Sequence, residues 1–308
     1  RPNQPTEVKT VPTRVRMVAT DLDGTLLTPD SDVSPRTLAA INAVRDAGIL
    51  VTLVTGRPPR WLAPVIHQTG WHGLAVAANG AVLLDLEQQR VEQTFPIPAP
   101  NMRAAVDAVR DILPGSSFAV EYVHAGSAVP LVDPRDPRAD SAIDGPPETP
   151  AFGHEPGYRG LALKHPRMPS TAPIDELIEM GNVVKLLARG PADATGDHDA
   201  TMHSIADALT GTVAVTHSTT AAVLLEMSRN DVSKATGLAS LAAHHGIARE
   251  EIIAIGDMPN DLPMLAWAGR GLAVGNAHPR VLEAVGEHNV VGPNSADGVA
   301  GVLESLVT

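Results

Sequence analysis

The 308-residue chain has no cysteine, only 3% aromatic residues, no long apolar run and no surplus of positive charge. Without cysteine there is no disulfide, no thiolate nucleophile and no Cys-ligated zinc or iron–sulfur site. Two tyrosines, three phenylalanines and three tryptophans are too few to build stacking platforms for single-stranded nucleic acid. Apolar stretches such as Ile49–Val54 and Ala75–Ala78 are strand-sized, far from the roughly 20 residues a membrane-spanning helix needs. Lys and Arg number 23 against 35 Asp and Glu, a net charge of −12, which argues against a general binder of nucleic acid or anionic membrane. A small phosphorylated substrate is still allowed, because one local site can oppose the global field. Residues 1–13 are polar and dotted with proline and lack the apolar stretch of a signal peptide. They are expected to be a disordered N-terminal extension. The expected setting is cytoplasmic, as monomer or homodimer, with no membrane or nucleic-acid partner.

With 44% hydrophobic and 19% charged residues the profile is globular, and the length fits one large domain or two ordinary ones. Apolar strands alternate with helical segments at both ends of the chain. Val15–Thr20, Ile49–Val54 and Leu74–Ala78 read as buried strands. Between the first two, Ser34-Pro35 reads as an N-cap followed by proline at the first helical position, with Leu38, Ile41 and Val44 on one face. The C-terminal third repeats the pattern, with strands at Glu251–Ile255, Gly271–Val274 and Asn289–Val291 separated by helices. Such alternation predicts an α/β fold with a doubly wound, Rossmann-like parallel sheet, covered on both faces. The middle has shorter strands and a Pro-rich excursion at 129–173. The predicted organisation is a core formed by 14–85 and 219–308, interrupted by an α+β insert at 86–218.

Ligands of open parallel sheets bind beyond the carboxyl ends of the strands. Three polar clusters follow the apolar strands: Asp21-Leu22-Asp23-Gly24-Thr25, Thr55-Gly56-Arg57, and Gly256-Asp257-Met258-Pro259-Asn260-Asp261. Four carboxylates at one sheet edge repel one another unless a cation neutralises them, and oxygen-only ligands favour Mg²⁺. Together with the Thr55 hydroxyl and a nearby lysine they suit phosphate chemistry. Asp21, first in its loop, is a candidate nucleophile and Asp23 a candidate general acid and base. Gly24 permits the tight turn between them. A strand-end Asp alone would more simply be a turn or capping residue, and Asp261 has the plainer reading of a helix-start residue favoured by the dipole. The conjunction of Asp21, Asp23, Thr55 and Asp257 carries the functional reading.

These motifs resemble those of the haloacid dehalogenase superfamily of phosphatases. The first is Asp21-Leu22-Asp23-Gly24-Thr25-Leu26, the second Leu53-Val54-Thr55-Gly56-Arg57, the third Asn230-Asp231-Val232-Ser233-Lys234, and the fourth Gly256–Leu265. Their order and spacing match over nearly all of residues 15–306. Ala78-Asn79-Gly80-Ala81, Ala273-Val274-Gly275-Asn276-Ala277 and Asp297-Gly298-Val299-Ala300 further resemble the Cof-like branch, whose type IIB cap lies where the insert does. The resemblance implies a Mg²⁺-dependent phosphatase of a sugar phosphate, nucleotide or vitamin phosphate, acting through an aspartyl phosphate on Asp21 with Asp23 as acid and base. It implies that Thr55 and Lys234 contact the transferring phosphoryl group. The metal would be held by Asp21, Asp257 and the Asp23 carbonyl, with Asp261 ligating directly or through water. Gly24, Thr55, Gly56, Arg57, Asn79, Lys234 and Asn260 would border the substrate. Ser228-Arg229-Asn230-Asp231 departs from the family's usual approach to the lysine, and the Pro-rich segment 129–173 does not align with the family's caps. A sugar phosphomutase with the same Asp pair, or a phospho-accepting binding module, are the alternatives. Within the insert, His124, Arg159, Lys164 and Lys185 are candidate specificity residues, each with a solvated side chain as the plainer expectation.

Overall fold

The computed structural model describes residues 14–129, 151–159, 170–191, 197–216 and 223–308. The expected N-terminal extension, most of the Pro-rich excursion and Lys164 lie outside the described residues.

The first strand, β1 (Met17–Thr20), is buried along its whole length. It pairs in parallel with β2 (Leu50–Leu53) on one side and β12 (Ile252–Gly256) on the other. Next to β12 lie β13 (Arg270–Val274) and β14 (Val290–Val291), giving a five-stranded parallel sheet in the order β14-β13-β12-β1-β2. Apolar residues fill both faces of these strands because helices cover both. Helix α1 (Pro35–Asp46) starts as the sequence predicts: the Ser34 hydroxyl accepts from the Thr37 amide and Pro35 opens the first turn. It packs beside α9 (Gly298–Glu304), while α6 (Lys234–His244) packs with α7 (Leu262–Trp267). Helices α2 (Ala63–Thr69) and α8 (Pro279–Val285) complete the layer set. This is the doubly wound α/β core that the strand–helix alternation predicts.

The third apolar segment departs from that expectation. Strand β3 (Leu74–Ala77) touches the parallel sheet through a single Val54–Val76 bridge. Its regular partners are antiparallel: it forms a three-stranded sheet with β4 (Val82–Asp85) and β5 (Arg90–Thr94). The short turn at Ala78–Gly80 sends the chain straight back, so β3 ends in a hairpin rather than a crossover. Strand β5 falls within the stretch expected to be insert, yet its Val91 is packed in the main apolar core.

A third sheet, of six strands, is antiparallel except for the parallel pairing of its last two strands and has the order β10-β11-β9-β6-β7-β8. Its strands are β6 (Ser117–Tyr122), β7 (Ala151–His154), β8 (Ser170–Thr171), β9 (Val183–Arg189), β10 (Val213–Thr216) and β11 (Leu224–Arg229). One face is covered by α3 (Ala99–Ile112), α4 (Ile174–Glu179) and α5 (His198–Ala208). In α3 the buried residues Met102, Ala105, Val106 and Val109 recur at the spacing of one helical face. Together with Phe118, Val120, Leu186 and Met227 they form an apolar core separate from that of the parallel sheet. The other sheet face carries Glu121, Lys185 and Glu226, whose partners are in the parallel-sheet unit.

Candidate active site

Asp21 leaves the end of β1 with its amide bonded to the Ile255 carbonyl of β12, so the first and fourth motifs are joined by the sheet ladder itself. The loop then turns at Gly24, whose φ is +77°, a conformation that favours glycine. A Cβ there would also lie 2.4 Å from Asp257 Oδ2. Glycine therefore lets the loop close over the Asp257 carboxylate. The Thr25 hydroxyl donates to Asp257 Oδ1 at 2.8 Å, and the Asn276 amide donates to the Gly24 carbonyl at 2.8 Å. These bonds tie the loop to the segments that follow β12 and β13.

Lys234 arrives from the side, at the first position of α6. Ser233 caps that helix, accepting from the Thr236 amide while the Thr236 hydroxyl accepts from Ser233 N–H. The departure at 228–231 does not displace the lysine. Val232 N–H closes the turn onto the Arg229 carbonyl and Arg229 pairs with Asp231. Gly80 allows the approach of α6, since a Cβ there would sit 2.0 Å from the Ser233 carbonyl oxygen. The result is a fully buried ammonium 2.8 Å from Asp21 Oδ1 and 2.5 Å from Asp261 Oδ1.

One oxygen each of Asp21, Asp257 and Asp261 lies within 4.8 Å of the others, and all three side chains are buried. Among the described residues this is the one cluster of three acidic or imidazole groups. Three carboxylates face one ammonium, and two of them, Asp21 and Asp257, are shifted by burial. Burial pushes the Asp21 carboxyl well above the ordinary carboxylate range, Lys234 opposing and Asp261 and Asp257 adding to it. Burial likewise pushes Asp257 up to about 6, against the hydrogen bond from Thr25. Burial alone would lower the Lys234 ammonium, but Asp21 and Asp261 outweigh it and hold it above the usual lysine range. The donor set is oxygen only, compact and short of positive charge, which fits a hard divalent cation such as Mg²⁺.

The remaining expected residues fall around this cluster in two groups. Thr55 is fully buried, and its hydroxyl accepts from the Arg57 amide at 3.1 Å, which leaves the O–H hydrogen to donate elsewhere. Gly56 packs against the Asn79 side-chain oxygen, 3.0 Å from where its Cβ would be. Asn79 and Asn260 are joined directly, Asn260 Nδ2 donating to Asn79 Oδ1 at 3.0 Å. Asp23 stands apart from the carboxylate cluster. Its side chain is 58% exposed and both its oxygens are held by Arg57, at 2.6 and 2.8 Å. Asp261 has both oxygens engaged by donors, Oδ1 by Lys234 and Oδ2 by the amides of Asp257 and Met258.

Sequence reasoning missed the partners supplied by the antiparallel sheet. Lys185 is 4% exposed, not solvated as expected; it donates to the Gly56 carbonyl at 2.8 Å and to Glu226 at 2.6 Å. Arg60 and Glu121 form a buried bidentate ion pair, with the guanidinium also over the rings of Trp61 and Phe152. The signal available was polar residues alternating with apolar ones along β6, β9 and β11, which marks a face without naming its partner.

Comparisons with known proteins add the following. A family model described as haloacid dehalogenase-like hydrolase matches residues 18–130 and 154–303. The chain is 27% identical over 297 residues to an HMP-PP phosphatase of Serratia proteamaculans, with 94% of each chain covered. It is 25% identical over 294 residues to the pyridoxal phosphate phosphatase YbhA of Escherichia coli, covering 94% of this chain and 98% of that one. Among solved structures, BT1666 of Bacteroides thetaiotaomicron, analysed among phosphatases of this superfamily, superposes with a TM-score of 0.70 at 24% identity over 96% of each chain.

Proposed function

The chain belongs to the haloacid dehalogenase-like hydrolases, among their Cof-like phosphatases, and from that premise we propose that it cleaves a small phosphorylated metabolite through an aspartyl phosphate on Asp21. The observation that supports this most directly is the placement of the Asp21 carboxylate: buried, at a strand end, 2.8 Å from the Lys234 ammonium and grouped with Asp257 and Asp261.

In this reading an Asp21 oxygen attacks phosphorus as the bond to the leaving-group oxygen breaks. Asp23, exposed at the next turn, supplies the proton to that oxygen. A water then attacks phosphorus, Asp23 takes its proton, and inorganic phosphate leaves as the Asp21 carboxylate is restored. Lys234 offsets charge on Asp21 and the phosphoryl oxygens, and the Thr55 hydroxyl donates to one of those oxygens. Mg²⁺ held by Asp21, Asp257 and the Asp23 carbonyl would supply the positive charge that the cluster lacks. Asp261 acts through its neighbours, because its oxygens already fix Lys234 and the loop at Asp257 and Met258. Arg57 holds Asp23 in place, while Gly24, Gly56, Asn79 and Asn260 border the phosphate.

The named relatives are phosphatases of HMP-PP and pyridoxal phosphate, so vitamin phosphates head the candidate substrates for this chain, followed by sugar phosphates and nucleotides. Phosphate release from such a panel, measured with Mg²⁺, with EDTA and with Asp21→Asn, tests the proposal. Release that needs Mg²⁺ and vanishes in the variant supports it. Phosphoryl transfer between positions of a sugar phosphate with no release into solution would instead favour a phosphomutase.

A further inference from the structure

The buried charges of the antiparallel sheet do more than close the two sheets against each other. Lys185 on β9 and Glu226 on β11 lie 2.6 Å apart, and Glu226 also accepts from Asn79 Nδ2 at 3.2 Å. Asn79 belongs to the turn after β3 and sits beside Gly56, whose carbonyl accepts the second Lys185 bond. Asn79 Oδ1 then accepts from Asn260 Nδ2 at 3.0 Å. A continuous chain therefore runs from Lys185 through Glu226 and Asn79 to Asn260, in the motif that carries Asp257 and Asp261.

The direction of each bond in this chain is forced. An ammonium only donates and an ionised carboxylate only accepts. Glu226, held by Lys185, must meet the NH₂ end of Asn79. That turns the Asn79 carbonyl toward Asn260, which must answer with its own NH₂. Asn260 Oδ1 is left as an acceptor, and it is buried with no donor among the described residues. A buried carbonyl left without a donor is costly, and a donor arriving with a ligand would relieve that cost. Without the Glu226 charge the Asn79 amide would be held only by its longer bond to the Thr216 hydroxyl, at 3.4 Å, and the acceptor at Asn260 would be less firmly set.

We propose that Lys185 and Glu226 are positioning residues for the reaction. They set the hydrogen-bond polarity of Asn79 and Asn260, so that the six-stranded sheet completes the site on the five-stranded one by presenting Asn260 Oδ1 to a donor on the bound substrate or on water at the phosphate. The inference rests on the phosphatase reading above. It assigns no contact between substrate and either charged residue; both act through the two asparagines.

The test is a double-mutant cycle on the full chain with p-nitrophenyl phosphate and Mg²⁺. Glu226→Gln keeps the size of the side chain but can donate as well as accept, and it should lower kcat/KM about tenfold. Asn79→Ala should cost a similar factor. In the Asn79→Ala background, Glu226→Gln should cost less than twofold more, since the chain is already cut. Factors that simply multiply would overturn the proposal, as would a Glu226→Gln enzyme with wild-type kcat/KM. Glu226→Asp, which stays acceptor-only, is the second variant should Glu226→Gln fail to fold, and it should retain more activity than Lys185→Met. A second readout needs no turnover: the Asn260 side-chain NH₂ resonances should move in Glu226→Gln, although the two residues do not touch. Unmoved resonances overturn the inference whatever the activity, whereas a wild-type chain that releases no phosphate from any substrate overturns only the phosphatase reading.

Discussion

Two regions of the described residues bury charge, and they balance it differently. At the edge of the five-stranded sheet, Asp21, Asp257 and Asp261 share one ammonium, Lys234. On the inner face of the six-stranded sheet, Glu121 is matched to Arg60 and Glu226 to Lys185. All of these side chains are 17% exposed or less. Burial of charge is therefore not what separates them; compensation is. A matched pair can hold two units together with nothing added. A cluster with surplus negative charge holds itself at a cost until a cation arrives, and that standing deficit is what a metal-assisted phosphoryl transfer needs.

The sharpest break of the comparison is Asp21→Asn. It removes the proposed nucleophile, and phosphate release should fall about a thousandfold or more. Stability should move the other way. The Asp21 carboxyl is held well above its ordinary range, chiefly by burial, so at pH 7 folding of the metal-free chain carries the cost of burying this group, whether it stays ionised or takes up a proton. Its neutral isostere should raise the metal-free melting temperature. A variant that loses both activity and stability would show that Asp21 is a structural partner of Lys234.

The matched side should respond in the opposite sense. Arg60→Met leaves Glu121 buried without its partner, and breaking a buried pair costs about 3–5 kcal/mol. Adding Glu121→Leu removes the stranded charge and should restore most of that loss, read by denaturant unfolding of the singles and the double. If Arg60→Met alone costs less than about 1 kcal/mol, the pair is solvated in solution and the contrast between the two regions fails.

A pH titration separates the regions without touching the matched pairs. Asp257 is pushed up to about 6 from an ordinary value of 3.8. The folded chain therefore binds this proton more tightly, and the associated stability is full below about pH 4 and lost as pH rises through about 6. Two units correspond to about 3 kcal/mol. In metal-free protein, wild type should lose about that much relative to Asp257→Asn between pH 4 and 7, and Mg²⁺ should reverse the loss at pH 7. A wild-type curve parallel to that of Asp257→Asn would mean that Asp257 is not strained by its surroundings.

The difference between the regions also explains what could be read in the sequence. The strand ends were legible because each motif is contiguous: Asp21 to Thr25, Thr55 to Arg57 and Gly256 to Asp261 follow apolar strands, and a parallel sheet brings such ends to one edge. Lys234 was reached only through the resemblance of Asn230–Lys234 to a family motif, and the Ser233 cap that fixes its helix was not read from the sequence. Lys185, Glu226, Glu121 and Arg60 carry no such local mark. Each is a lone charge in an apolar strand or Pro-rich turn, and its partner is 41 to 129 residues away. The default expectation for a lone lysine is a solvated side chain, and for Lys185 only the packing of one sheet on another reverses it. β3 is an intermediate case: it is buried and bridges the end of β2 in parallel, Val76 to Val54, but its ladder partner β4 is antiparallel. A short apolar run does not show the Ala78–Gly80 turn that starts the hairpin.

The smallest expected effect falls between the regions, at Arg57 and Asp23. Like Arg60 and Glu121 this pair is bidentate, its own bonds being 2.6 and 2.8 Å, but the Asp23 side chain is 58% exposed. Exposed pairs contribute about 0–1 kcal/mol, so Arg57→Ala should leave unfolding free energy within about 1 kcal/mol of wild type. Its effect belongs to the reaction. Asp23 then has no side chain fixing it beside the Asp21 loop, and the step in which it passes a proton to the leaving oxygen should slow. An aryl phosphate, whose leaving oxygen needs little protonation, should lose less in kcat than an alkyl phosphate with a basic leaving group. Equal losses on both would place Arg57 on the phosphate itself, and a large loss of stability would move the pair into the class of Arg60 and Glu121.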